Sequence, residues 1–340
     1  MRIVKAAASW SALTFVFPLA LGTAECRPAV AQPAQASQGV WAKRAPLPGV
    51  RSETAVAAVD GSIYVIGGNT VEMKNGAAVD RYDAGLTEEY DTTTDEWRTR
   101  APMPDGAGHA AIAVMDGKIY VAGGFKVRQH MQPIDGFYAY DPKTDEWETL
   151  PALLSPRGSP NLAVVAGKLH IFGGRVGDSS GPINTHEVYD PETGKWTPAR
   201  QLPTARDHMG VGVFDGKIHI VGGRTGGNED ANTGVHEIYD PQTGTWSIGA
   251  PMPTPRSGGA FAVYKGMLFF IGGECRNRMT YDESEAYDPR TEKWVKFAPI
   301  PGGSHAVSAQ AVGDTLYVVG GATGCGGVGK SNDNKTFTLR

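Results

Sequence analysis

Cysteine, helical periodicity and basic excess are all scarce in this chain. Its 3 cysteines are too few to carry a disulfide scaffold, and its 41% hydrophobic residues point instead to a large buried core. Beyond the first thirty residues no stretch shows the apolar period of about 3.6 residues that marks a surface helix. The 32 Lys and Arg stand against 36 Asp and Glu, a formal net charge of −4; without a basic face, a nucleic-acid partner is not expected. An HExxH metalloprotease helix is also missing. What is plentiful is turn chemistry, 45 Gly and 23 Pro, and that balance favours an all-β protein.

The N-terminus reads as a separate object. Arg2 and Lys5 precede an apolar stretch from Ala12 to Leu21, and Ala29-Val30-Ala31 supplies the small residues of a cleavage site, so residues 1–31 fit a cleaved secretory signal peptide. The apolar run falls well short of the roughly 20 residues that span a bilayer and is broken by Pro18, so no stable membrane insertion is expected after cleavage. Glu25 before Cys26 argues against lipid modification. Cleavage removes Arg2, Lys5 and Arg27 against Glu25, a net of +2, and leaves a formal charge of −6. The expected location is secreted or periplasmic, with residues 32–38 as a linker. Cys275 and Cys325 then remain as an even pair, a disulfide candidate in an oxidising compartment.

The strongest signal is internal repetition. GSIYVIGG, GKIYVAGG, GKLHIFGG, GKIHIVGG, GMLFFIGG and GDTLYVVGG end on glycine pairs beginning at Gly67, Gly123, Gly173, Gly222, Gly272 and Gly320, spaced 56, 50, 49, 50 and 48 residues apart. Upstream of each copy lies a run of small and β-branched residues, joined through DG- or KG-type turns, which is hairpin chemistry. Downstream, EEYDTTTDEW, YAYDPKTDEW, EVYDPETGKW, EIYDPQTGTW and EAYDPRTEKW supply a third strand, a turn and a fourth strand bearing Trp97, Trp147, Trp196, Trp246 or Trp294. Each unit is thus a four-stranded sheet of about fifty residues, the size of a propeller blade.

The glycine pair, the Tyr-Asp-Pro turn and the tryptophan together resemble the kelch repeat over nearly the whole of residues 39–340. The resemblance implies a six-bladed kelch-type β-propeller. The glycine pairs number six but the complete YDP-to-Trp units only five, and the leftovers repair the deficit. Trp41 has no turn before it and KTFTLR has no tryptophan after it, so residues 39–43 are expected to pair beside Phe337–Leu339. That pairing of an N-terminal outer strand with the C-terminal strand closes the ring and hides its edges.

The repeats also act as an internal control: a residue that recurs at one position is read as architecture, a singular polar residue as a functional candidate. Arg51, Arg157, Arg206 and Arg256 each stand sixteen residues before a glycine pair, and this recurrence favours scaffolding over a cationic ring. His186, His236, Glu187, Glu237 and Glu285 repeat similarly. The residues just after the arginine position and just after the glycine pair vary. In ligand-capturing kelch proteins such positions line one mouth of the funnel, and the resemblance makes Glu53, His109, Arg175, Asp207, His208, Arg224, Glu274 and His305 candidate ligand contacts. Their mixed charge suits a carbohydrate or a short acidic peptide.

Histidines near an axis invite a metal, but no close ligand spacing is present, so no metal site or cofactor is expected. Galactose oxidase also carries kelch repeats, yet its copper ligands and seven-bladed ring find no match here, so a copper oxidase is not expected. Bacterial N-acetylneuraminate epimerases are another six-bladed relative class. That resemblance assigns proton exchange to Glu274 and sugar-carboxylate binding to Arg276 or Arg278, with Glu274 and Arg278 as the catalytic pair. Three readings follow: a monomeric funnel binder of a carbohydrate or peptide, a sugar mutarotase, and a protein-interaction scaffold. The acidic stretches GGNEDANTG and YDESEAYD raise calcium without EF-hand spacing. Asn334-Lys335-Thr336 forms a glycosylation sequon. Cys275 and Cys325 leave adjacent blades on the same side, which predicts a disulfide bracing the loop that carries Glu274.

Overall fold

The computed structural model describes residues 39–339 apart from 83, 128–129, 178–179, 228 and 278; the side chains of Glu229 and Arg276 are also outside it. The segments 1–31 and 32–38, expected to be a signal peptide and a linker, lie outside the described residues, as do Arg278 and the Arg276 side chain. Six four-stranded antiparallel sheets organise the described residues. Their innermost strands are Ala55–Val59, Ala111–Met115, Asn161–Val165, Gly210–Phe214, Ala260–Tyr264 and Ser308–Val312. Each lies beside the next, and the sixth lies against the first. This is a six-bladed propeller. The small residues of these strands fit the crowded axis, and aromatics fill the space between blades further out.

The repeated residues are joints between blades. The second glycine of every pair donates its N–H to a carbonyl of the next blade, as from Gly68 to Ala107 (2.9 Å), Gly273 to Ser304 (2.8 Å) and, across the closure, Gly321 to Arg51 (2.8 Å). A Cβ on Gly272, at φ +66°, would stand 2.2 Å from Ser304 O, so the pair must be glycine for neighbouring backbones to meet. The outer tryptophans bridge in the other direction: Trp97 Nε1–H donates to Ala45 O (2.9 Å) and Trp147 Nε1–H to Ala101 O (2.8 Å).

Arg51, Arg157, Arg206 and Arg256 are fully buried. They pair within their own blades with Glu88, Glu187, Glu237 and Glu285. Spare donors reach backbone carbonyls, Arg256 Nε to Gly272 O at 2.8 Å for example. The recurrent arginines are thus scaffolding and form no cationic ring.

Ring closure follows the expected pairing. Val40–Lys43 runs antiparallel to Asn334–Thr338, with Trp41 opposite Phe337 and Lys43 opposite Lys335. The Trp41 and Phe337 rings lie 5.0 Å apart, and Trp41 Nε1–H donates to Ala298 O of the fifth blade (2.9 Å). Phe337 packs in one core with Phe269, Ile271, Leu316 and Val318. This location also removes the glycosylation reading, because Asn334 is 2% exposed and its amide donates to Ala45 O. The acidic stretch at 281–288 lies within the strand Met279–Asp288, where Tyr287 is buried and Glu285 is bonded to Arg256; it is sheet and not a calcium loop.

Three hairpins depart from the average repeat. In the first blade Thr70–Lys74 and Ala77–Arg81 form an extra two-stranded ribbon, which accounts for the 56-residue spacing between Gly67 and Gly123. In the second, Phe125–Val127 pairs with Met131–Pro133. In the fifth blade Met267–Arg276 and Met279–Asp288 continue past the glycine pair as ten-residue strands, with register shifts around Gly273. There Cys275 bonds Cys325, with Cα atoms 5.6 Å apart, tying the loops that leave the fifth and sixth blades.

Candidate functional site

At the start of each innermost strand one residue turns into the left-handed region, and these six residues form a closed collar. Glu53 N–H donates to Ala306 O (2.9 Å), His109 to Glu53 (3.0 Å), Ser159 to His109 (2.9 Å), His208 to Ser159 (3.4 Å), Gly258 to His208 (3.1 Å) and Ala306 to Gly258 (2.7 Å). Their φ values run from 54° to 62°. Five of the six are not glycine, at a cost of about 1–3 kcal/mol each. The unbroken ring of hydrogen bonds holds them there. The residue before each collar position pairs with the residue after a glycine pair: Ser52 with Asn69, Gly108 with Phe125, Gly158 with Arg175, Asp207 with Arg224 and His305 with Ala322. In the fifth blade Glu274 N–H donates to Ser257 O (2.7 Å). The two varying positions are therefore one layer.

Side chains from this layer converge on Asp207. Its Oδ1 accepts from His208 Nδ1 (2.6 Å) and Arg224 Nε (2.9 Å), and its Oδ2 lies 3.6 Å from Arg175 Nε. Arg224 continues through Nη1 to Glu274 Oε2 (2.8 Å), and its Nη2 donates toward His130 Nε2 (3.2 Å) and His208 Nε2 (3.4 Å). On the opposite side His109 Nε2 meets Glu53 Oε1 at 3.1 Å. The structure thus brings together Glu53, His109, Arg175, Asp207, His208, Arg224 and Glu274. His305 is directed elsewhere: its Nε2 lies 2.7 Å from Gly324 O, so it supports the loop that holds Cys325. His130 belongs to the cluster but escaped the repeat comparison. It comes from the hairpin of the second blade, at a position without counterpart in the other copies.

Exposure separates the members. Arg175, Asp207 and Arg224 side chains are 1%, 0% and 2% exposed, whereas Glu53 and Glu274 retain 11% and 12%. The guanidiniums are a buried frame, and the two carboxylates reach solvent. Burial pulls the Arg224 pKa down, but the Asp207 and Glu274 carboxylates outweigh it and raise it, so the charge is fixed. Burial would raise Glu53; the adjacent His109 imidazole, with His208 and His305, instead holds its carboxyl below the usual range.

Ser159 Oγ lies 3.3 Å from His208 Nε2, so Ser159, His208 and Asp207 follow the order of a nucleophilic triad. The electrostatics oppose that chemistry: burial, and then the Arg224 charge, push the His208 pKa well below 6.5, which makes it a poor general base. Below the collar the channel holds a cavity of about 110 Å³, lined by collar residues and the innermost strands. That is room for a few waters at roughly 30 Å³ each and falls short of the roughly 300–1,000 Å³ of small-molecule pockets. A ligand of sugar size does not fit that cavity; the collar layer offers it instead the two partly exposed carboxylates of Glu53 and Glu274.

Six sheets of this topology, glycine-pair joints and an axial layer define a kelch-type propeller. A family model described as the KLHDC2/KLHL20/DRC7 Kelch-repeats domain matches residues 108–321, more than half of the chain, and the chain belongs to that family. Kelch-like protein terF of Aspergillus terreus is 39% identical over 89 residues, 25% of this chain and 18% of that protein. Kelch repeat and BTB domain-containing protein 12 of Homo sapiens is 38% identical over 85 residues, 25% of this chain and 14% of that protein. The chain thus spans less than a fifth of the length of these relatives. Among solved structures, that of YjhT superposes with a TM-score of 0.70 at 17% identity, covering 85% of this chain and 95% of that one; this is a likeness of fold.

Proposed function

We propose that this chain is an exported kelch propeller that binds a hydroxyl-rich carbohydrate on its axial collar. The observation that carries the reading is the contrast within one layer. The recurrent Arg–Glu pairs are consumed by the scaffold, while the singular Glu274 is held by Arg224, itself fixed by Asp207, and the singular Glu53 by His109. Solvent-reaching carboxylates accept hydrogen bonds from sugar hydroxyls, whereas both guanidiniums already have carboxylate partners and are withdrawn from an anionic ligand. The Cys275–Cys325 disulfide and the leader-like N-terminus support export to an oxidising compartment.

Saturation-transfer NMR on the mature protein, with neutral sugars, acidic sugars and acidic peptides, tests this. Transfer to a neutral sugar that disappears in Glu274→Gln is the expected result. Accelerated anomer exchange lost in the same variant marks a mutarotase, with Glu274 exchanging the proton. Silence for every sugar contradicts the reading. A second reading, a protein-interaction scaffold, is the typical use of kelch-repeat domains. It is favoured by the extra hairpin of the first blade, whose strand Ala77–Arg81 is exposed throughout and whose Met73 is 71% exposed.

A further inference from the structure

Three histidines of the collar layer meet although the sequence separates them widely. His109 and His208 are collar residues of the second and fourth blades, and His130 is carried over to them by the Phe125–Pro133 hairpin. Each offers a ring nitrogen within 4.8 Å of the other two. Ring centroids stand 5.1 Å apart for His109 and His130, 5.2 Å for His109 and His208 and 5.3 Å for His130 and His208, with interplanar angles of 62°, 82° and 90°. Edge-to-face rings at this distance draw the three imidazoles into one cluster.

We propose that His109, His130 and His208 form a three-imidazole site for a divalent first-row transition metal of the zinc or copper class, with Glu53 as the neighbouring carboxylate. Imidazole suits these ions, and three protein nitrogens leave positions open for water or a further ligand.

The surroundings match what such a site requires. Asp207 Oδ1 takes the Nδ1 proton of His208 at 2.6 Å, which fixes the tautomer and leaves Nε2 as the electron-pair donor, the carboxylate–imidazole support found behind metal-ligating histidines. Glu53 plays the corresponding part for His109 at Nε2, 3.1 Å away, and His109 Nδ1 is buried without a hydrogen-bond partner among the described residues. The local charge also admits a cation: Glu53, Asp207 and Glu274 outnumber Arg175 and Arg224 by one.

Arg224 Nη2 is the opposing feature. It donates to the Nε2 lone pairs of His130 and His208, the same electron pairs a metal would take. Those lone pairs already converge on one positively charged group, and a metal must displace that Nη2 contact. Arg224 keeps Asp207 at Nε and Glu274 at Nη1 when it does.

The site does not depend on the sugar reading, and its test is run without sugar. Zn²⁺ is titrated calorimetrically into the mature protein, with Cu²⁺ binding followed in parallel by electron paramagnetic resonance. The expected result is one equivalent of metal, nitrogen hyperfine structure on the copper signal, and affinity weakened more than tenfold in His130→Ala and in His208→Ala. His130 lies at a hairpin turn outside the blades, so its variant keeps the fold and remains interpretable if His208→Ala does not. No uptake by the folded protein, or uptake of unchanged affinity in His130→Ala, overturns the proposal.

Discussion

Arg206 and Glu237 show how one repeated pair is tied to its blade. Arg206 is fully buried, and its guanidinium reaches Glu237 and the Ile220 carbonyl (3.1 Å). The pairing recurs in four blades and is absent as a unit from the other two. In the second blade Ala107 and Tyr138 occupy the two positions, and in the sixth Ser304 and Lys335 do, judged by strand register. Both members change together because a lone buried charge is costly. Arg206→Ala alone is therefore expected to lower stability by about 3–5 kcal/mol in urea unfolding, and Arg206→Ala with Glu237→Tyr, the second-blade combination, to recover much of it. At this scale the scaffolding role was legible from recurrence alone. The Glu partners were visible as repeats too, but their pairing needed the fold. His130 was not legible, since the hairpin that delivers it has no counterpart in the other copies.

Single blades carry their own signatures, and two of them titrate. In the third, His170 Nδ1 meets His186 Nε2 at 3.0 Å, and in the fourth His219 Nδ1 meets His236 Nε2 at 3.0 Å. Burial first, and for His170 and His219 then the neighbouring imidazole, depress His170 from 6.5 to about 3 and His219 to about 4; His186 and His236, also buried, fall to about 4. The unfolded chain takes up protons below about pH 6.5 that the folded chain refuses. The stability present above pH 6.5 is therefore lost as the pH falls toward 4. The second blade holds Tyr120 and Phe137 at these positions, so His170→Tyr with His186→Phe is expected to flatten the fall in melting temperature between pH 7 and pH 4.5. Wild-type stability that does not change over that interval contradicts the assignment. The loop element behaves differently. Replacing Cys275 and Cys325 by serine is expected to cost about 2–4 kcal/mol and, because Glu274 precedes Cys275, to weaken sugar binding as well.

The ring as a whole depends on its closure. Trp41 contributes an indole to the fifth and sixth blades at once, so Trp41→Ala is expected to lower the melting temperature further than removal of the Met73 side chain, which is 71% exposed. Differential scanning calorimetry of the two variants checks the ranking. Most of this architecture was legible in the sequence, because a propeller repeats each joint: the glycine pairs counted the blades, and the unmatched Trp41 and KTFTLR announced the closure. The adjacency of Cys275 and Cys325 followed from their places shortly after two successive glycine pairs. The collar was legible only as a set of varying positions. Its closed hydrogen-bond ring, the burial of Arg175 and Arg224 and the engagement of His305 with the loop that holds Cys325 depend on side-chain geometry that periodicity does not encode. The central claim is that Glu53 and Glu274 are the groups the ring presents to a ligand. Isothermal titration of the sugar found by NMR into wild-type protein and into Glu53→Gln with Glu274→Gln, at matched folded fraction, tests it directly. The account predicts at least a tenfold loss of affinity with the melting temperature little changed; equal affinity in the two proteins would contradict it.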